Sequence, residues 1–492
     1  MQQLSGLDAG FLTLETPTTP MTIGSLAILD PRTSRGRLDV ESFRAFLAAR
    51  LENAPVLRRR LASLPLDLSR PYWVELAARQ VDLEFHVEKT QLPEPGSWHE
   101  LSELMAWELA RPLDRKRPLW QVLFVEGLEA VEGVPAGSVA LIARVHHAAV
   151  DGVSGAEILG ALAEGTDARA VKVSEGSTIS PPAVGDDISA ETTEPGVLEL
   201  LTQAGRDLAA TPPAVSRTLG RSLLGLARGV RQRAGKRGEV TDTTAKALDR
   251  PGTPPLPFTA PRTPLNKAVS AQRSWAPAFF DLERIKAIKT SEDATVNDVV
   301  LAICAGALRG WLADGGELPP EPLVAMVPVS VRGEAEMQSA GNLVSAMLVS
   351  LATDEPDPTR RLRMIRDAAR SSKVAHQAVG ARTLVESARL VPFALSGLGV
   401  RLYSRLHLAE KHRPMFNVVI TNVPGPPQPL SIAGARMLSY APAAPLFDGL
   451  GLILPVFSYA GTVSIGVTTD RKIMPDAASF AARLERAIDE LQ

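Results

Sequence analysis

Two histidines stand side by side at positions 146 and 147, followed by Asp151 and Gly152, in the stretch "LIARVHHAAVDGVSG". Histidine is scarce, 7 in 492 residues, so an adjacent pair at the end of an apolar run concentrates proton chemistry in one place. An imidazole with an ordinary pKa of about 6.5 takes up and returns a proton close to neutral pH, which makes it a general base. Asp151 is spaced from His147 as H-x-x-x-D. It can accept an imidazole N–H and fix the tautomer, as in a triad, or turn away and hold the loop through an arginine, and the spacing suits both. Gly152 lets the backbone turn sharply beyond the acid.

The rest of the chain narrows what such a base would do. Ser154 lies in "GVSGA", which misses the last glycine of a nucleophile elbow. Cys304 sits inside an apolar helical pattern and reads as core. No P-loop or dinucleotide fingerprint is present. Adjacent histidines at a strand end point in different directions, H-E-x-x-H is absent and one cysteine excludes a cysteine-rich zinc site, so no metal is expected. A base without a protein nucleophile fits direct transfer, in which an acceptor hydroxyl loses its proton and attacks an activated acyl group.

The elements that must hold the pair can be read from periodicity. "VALIARV" at 139–145 is a buried strand, and Val153 to Glu164 reads as a helix, so the pair sits in a strand-to-helix loop. The length of 492 residues exceeds one comfortable core. The reading is a first domain at 1–165, a linker at 166–262 and a second domain at 263–492. The linker is rich in Ser, Thr, Pro and acids, as in "SEGSTISPPAVGDDISAETTEPG". Within it, residues 215–237 form a basic amphipathic helix, with Leu219, Leu223, Leu226 and Val230 on one face and Arg217, Arg221, Arg228 and Arg231 on the other. That apolar face suits a membrane surface or packing on the second domain. In the second domain "ATVNDVVLAICAGALRGWL" is a helix, and "LVAMVPVSVR", "NLVSAMLVSL", "FNVVITNV" and "TVSIGVTTD" are strands.

Net charge is −2 with 22% charged residues, which gives no global pull toward nucleic acid. The N-terminal stretch "MQQLSGLDAGFLTLE" has no signal-peptide pattern, and the uncharged run Gly449 to Thr469 is broken by Pro455 and reads as strands. The expected location is the cytoplasm or the cytoplasmic face of a membrane.

H-H-x-x-x-D-G resembles the signature of CoA-dependent acyltransferases of the chloramphenicol acetyltransferase superfamily and of peptide condensation domains. The opening "LSGLDAGFLTLETPTTPMTIGSLAILD", then "RPLDRKRPLW", "TVNDVVLA", "VPVSVR", "GNLVS" and "TNVPGP" in that order, narrow the resemblance to bacterial wax ester synthase/diacylglycerol acyltransferases. It covers nearly the whole chain, with 166–262 the least matched. The resemblance implies an α/β (α+β) architecture of two chloramphenicol-acetyltransferase-like domains, each a mixed sheet with helices, meeting at a central tunnel. It implies acyl-CoA as co-substrate with no bound cofactor, and diacylglycerol or a long-chain alcohol as acceptor. It makes His147 the general base, His146 its structural neighbour and Asp151 a loop-ordering residue beside Gly152. It also points to association with the inner membrane face or lipid droplets. Other functions compatible with the motif are a condensation-type acyltransferase on carrier-bound acceptors and a non-catalytic lipid-binding protein.

The accessory motifs also have structural readings. Trp120, before the strand "QVLFVEG", is core packing or tunnel wall. Asp298, three residues after Thr295 at a helix start, resembles a capping box. Asn297 and Asn422 are candidates to face the site, and Asp448 in "FDGLG" is a weaker one.

Overall fold

Apolar runs rich in β-branched residues become strands here, and the chain uses them to build two six-stranded sheets. A computed structural model describes residues 2–34, 36–63, 70–149, 255–330, 344–379 and 402–492. Asp151, Gly152, Ser154, the helix expected at 153–164 and the amphipathic helix at 215–237 lie outside the described residues. The strands of the first half are β1 (Gln2–Gln3), β2 (Thr22–Asp30), β3 (Arg59–Ala62), β4 (Tyr72–Glu75), β5 (Val87–Gln91), β6 (Trp120–Glu126) and β7 (Val139–His146). Those of the second are β8 (Arg273–Asp281), β9 (Val324–Ser330), β10 (Val344–Ser350), β11 (Val418–Pro424), β12 (Ser431–Ile432), β13 (Ala435–Ala443), β14 (Leu452–Tyr459) and β15 (Thr462–Asp470).

The first sheet runs β12–β13–β2–β7–β6–β5, and the second β10–β9–β11–β14–β15–β8. Both are mixed: β5 and β6 pair in parallel in the first, and β11 is parallel to both β9 and β14 in the second. In the first sheet β7 is central, Ile142 lying between Leu26 of β2 and Leu123 of β6. One face packs on the helix Val40–Leu51 through Phe43, Leu47 and Phe124, and the other on the helix Trp98–Leu109 through Leu101 and Met105. A strand covered on both faces reads as a continuous apolar run, as "VALIARV" does. The second sheet packs on the helices Val296–Asp314 and Ala477–Asp489. The first of these is long and apolar enough to cross a membrane, but 61% of its most apolar window is buried within the protein, so it is a core helix.

The division expected at 166–262 does not separate the two sheets. β12 and β13, from the second half of the sequence, complete the first sheet, with β13 pairing antiparallel along β2 from Arg436↔Asp30 to Ala443↔Gly24. β13 buries Met437 in the core on one face of this sheet and Ala441 and Ala443 in the core on the other. Further contacts tie the halves. The Trp275 indole of β8 packs among Leu101 and Ile142 and donates to the Pro442 carbonyl at 3.3 Å, and Arg273 donates to the Thr18 carbonyl at 2.5 Å.

Where β13 crosses β15 only a glycine fits. A Cβ at Gly466 would stand 1.7 Å from the Pro442 carbonyl oxygen, and that obstacle is backbone. Gly466→Val is therefore expected to cost about 3 kcal/mol or more, at the top of the range for overpacking. Thermal unfolding checks this, and an unchanged midpoint would mean that β13 does not press on β15.

Candidate active site

β7 ends at His146, and the chain enters a single tight turn, His147–Ala149. Both neighbouring strands grip that end. The His146 N–H donates to the Leu119 carbonyl at 2.9 Å, and the His147 N–H to the Met21 carbonyl at 2.7 Å. Leu119 is the middle of the Pro-Leu-Trp element, so that motif positions the histidines through its backbone. Trp120 itself is buried: its indole donates to the Leu57 carbonyl at 2.7 Å and stacks on His86 at 4.3 Å.

The two imidazoles have different surroundings. His146 is fully buried, and its Nδ1 accepts the Ala148 N–H at 3.0 Å. An accepting Nδ1 leaves the proton of the neutral ring on Nε2. That nitrogen lies 3.5 Å from Oε2 of Glu15, close enough for charge to be felt and long for a hydrogen bond. Glu15 in turn accepts from Arg115, at 2.9 Å from Nε and also from Nη2. Burial pushes the Glu15 carboxyl up, but His146 and then Arg115 more than offset this and leave it below its ordinary value. His146 thus faces a carboxylate that lies more than a hundred residues away in sequence.

His147 is half-buried, with its ring stacked on Phe11 at 3.7 Å between centroids and 21° between planes. Phe11 belongs to the helix Gly6–Leu14, which starts at the Ser5 N-cap and ends one residue before Glu15. One short helix thus supplies the stacking ring for His147 and leads directly into the partner of His146. Desolvation lowers the His147 pKa to about 4, so the imidazole is neutral at physiological pH. Its Nδ1 is buried without a well-formed hydrogen bond to any described residue.

The other candidates lie elsewhere. Asn422 donates to Asn297 across 3.4 Å, so these two meet each other, and among the described residues no hydrogen bond joins them to either histidine. Asp298 is engaged in its own helix cap, accepting from the Thr295 N–H at 2.8 Å and hydroxyl at 2.7 Å. Asp448 accepts from the Val269 N–H at 2.9 Å, a turn-holding contact. Cys304 is fully buried, and burial pushes its thiol up to about 12, the opposite of an activated nucleophile. Glu15 and Phe11 were not singled out in the sequence. One signal existed for Glu15: an acid at a helix C-terminus opposes the helix dipole, which points to a compensating partner.

Residues 4–300 match the family description "Wax ester synthase/diacylglycerol acyltransferase catalytic domain", and residues 340–492 match "WS/DGAT C-terminal domain". The chain belongs to the wax ester synthase/diacylglycerol acyltransferase family. Among its relatives in this family are two Mycobacterium tuberculosis proteins provisionally named diacylglycerol O-acyltransferases. One is 33% identical over 492 residues, covering 100% of this chain and 90% of the relative, and the other 35% identical over 498 residues, covering 99% of each. The solved wax ester synthase/diacylglycerol acyltransferase from Marinobacter aquaeolei VT8 is 28% identical with a TM-score of 0.64, over 100% of this chain and 98% of that one. The first condensation domain of the CDA synthetase shares the fold, with a TM-score of 0.50 at 14% identity over 100% of this chain and 97% of that one. As a wax ester synthase/diacylglycerol acyltransferase family member, the chain is an acyltransferase of mixed α/β fold.

The His147 environment has a measurable consequence. Its folded pKa, about 4, lies below that of an unfolded histidine, so the unfolded chain binds the proton first. The stability tied to this ring is fully present above about pH 6.5 and is lost as the pH falls toward 4. His147→Phe, which keeps a ring against Phe11, is expected to flatten that part of the stability curve. Imidazole resonances followed by NMR should place the titration near 4, and a midpoint near 6.5 would put the ring in water.

Proposed function

We propose that this enzyme transfers a fatty acyl group from acyl-CoA to the hydroxyl of diacylglycerol to make triacylglycerol, and to long-chain alcohols to make wax esters, with His147 as general base. The observation that carries the reading is a neutral, half-buried imidazole held at a strand end by backbone on one side and the Phe11 ring on the other. The names of the Mycobacterium and Marinobacter relatives support the substrate class. Acyl-CoA and acceptor approach from opposite sides of the junction between the halves, and the reaction uses no bound cofactor or metal. The enzyme works in the cytoplasm at the inner membrane face or on lipid droplets, with no nucleic-acid partner.

The low pKa of His147 shapes the chemistry. Imidazolium at this site is a stronger acid than usual, comparable to a carboxylic acid, and imidazole a weaker base. An alcohol is a far weaker acid, so no free alkoxide forms. The hydroxyl proton moves to the ring as the C–O bond to the thioester carbonyl develops. The C–S bond then breaks, and the coenzyme A thiolate takes the proton from the imidazolium, which gives it up readily. Base and acid are the same ring, and no proton is left over. His146, fixed by Ala148 and Glu15, holds the strand end, and Asp151 and Gly152 order the loop beyond.

Thiol release from palmitoyl-CoA with diolein or hexadecanol as acceptor tests the proposal. His147→Ala is expected to lower turnover by ~100-fold or more while leaving the protein folded. Wild-type turnover in that variant would end the mechanism. Asp151→Ala is expected to lose activity partially and to fold less well. In the wild type, kcat/KM should be flat from pH 6 to 8, because the free-enzyme base titrates near 4. An acid limb centred near 6.5 would assign the base to another group.

A further inference from the structure

Eight large apolar side chains are exposed among the described residues, and five of them, Leu256, Phe258, Leu402, Leu406 and Met415, come from two short segments, with exposures of 40% to 54%. The segments are one surface. The Phe258 ring lies 5.8 Å from His412, whose Nε2 meets the Tyr403 hydroxyl at 2.8 Å. Leu402 and Leu406 flank Tyr403 on one helical turn, the Leu406 N–H donating to the Leu402 carbonyl at 3.0 Å. Beneath, Asn417 donates to the Pro261 carbonyl at 2.7 Å and Asn266 to the Phe416 carbonyl at 3.2 Å, which clamps the two segments together.

Two further observations say what covers this surface. Phe258 holds φ at 64°, a region that bulky residues rarely adopt, so the backbone accepts strain while the ring stays in water. A strained, exposed aromatic ring wants an apolar partner. The same two segments carry Arg262, Lys267, Arg405 and Lys411, all exposed and none in an ion pair among the described residues. The nearby acids are already engaged: Glu321 pairs with Arg413 at 2.9 Å, and Glu410 accepts from the Ala268 N–H at 3.3 Å and lies 3.8 Å from His407. Exposed apolar side chains and exposed cations on the same two segments match a bilayer surface with anionic headgroups, the rings entering the acyl boundary and the cations meeting phosphates.

We propose that the surface formed by residues 255–268 and 402–415 docks the enzyme on an anionic lipid surface. The inference rests on the lipid-acceptor reading above and adds the face through which the enzyme meets its acceptor-bearing phase. A diacylglycerol dissolved in a membrane is delivered by lateral diffusion to a protein that sits on that membrane.

Flotation of the full-length enzyme with phosphatidylcholine vesicles, with and without phosphatidylglycerol, tests it. The wild type is expected to float with the anionic vesicles and to do so weakly with the neutral ones. Phe258→Asn combined with Leu402→Ser and Leu406→Ser should lower partitioning at least ~10-fold, since each removes a side chain that would be buried in the boundary. Asparagine is at home at positive φ, so that change relieves strain instead of adding it. Arg405→Gln with Lys411→Gln should abolish most of the preference for anionic lipid, by ~5-fold per cation. Turnover on a short-chain acyl-CoA and a water-soluble alcohol should be unchanged in both variants. That readout separates a failed docking surface from a failed catalytic reading. Full vesicle binding by the apolar variant would overturn the proposal, as would a wild type that binds neither vesicle. A wild-type dimer that becomes monomeric in the variant, with no change in flotation, would assign the surface to a second copy of this chain and overturn it equally.

Discussion

Two backbone hydrogen bonds fix the histidine pair in place: the His146 N–H on the Leu119 carbonyl and the His147 N–H on the Met21 carbonyl. They come from strands on opposite sides of β7, so the strand end is pinned from both edges. Side chains at a strand end normally have freedom that an interior residue lacks. Here the pinning removes it, and the stacked Phe11 ring removes what is left for His147. Preorganisation of this kind is what lets a base act without reorganising at the moment of transfer.

The two histidines share a backbone but not an environment. His146 is buried, with Glu15 beside it and Arg115 paired to Glu15. His147 is half-buried without a compensating carboxylate among the described residues, and desolvation lowers its pKa to about 4. Two adjacent rings on one strand end thus meet different surroundings. The helix Gly6–Leu14 serves both, which ties the first fifteen residues to the site.

Much of this was legible from residue order. The apolar run of β7, the helix Val296–Asp314 and the strands β9, β10, β11 and β15 follow from period and length. The capping box at Thr295 and Asp298 follows from four residues. Glu15 was not legible, because its partner lies 131 positions away at His146 and no local pattern records such a contact. The placement of β13 was hidden for a like reason. Its sequence says strand, but which sheet edge a strand joins is settled by long-range shape, here by Gly466 leaving room under Pro442. Asn297 and Asn422 do come together, through strand and helix ends that the sequence put far apart.

The strand exchange has a consequence for how the chain comes into being. A nascent chain emerges from its N-terminus, and the half that bears the histidines is synthesised first. Until residue 443 has been made, β2 has no neighbour on its outer side, and its N–H and C=O groups present an open edge. The first half therefore waits for the second before its sheet is complete, a pairing of high sequence separation that forms late.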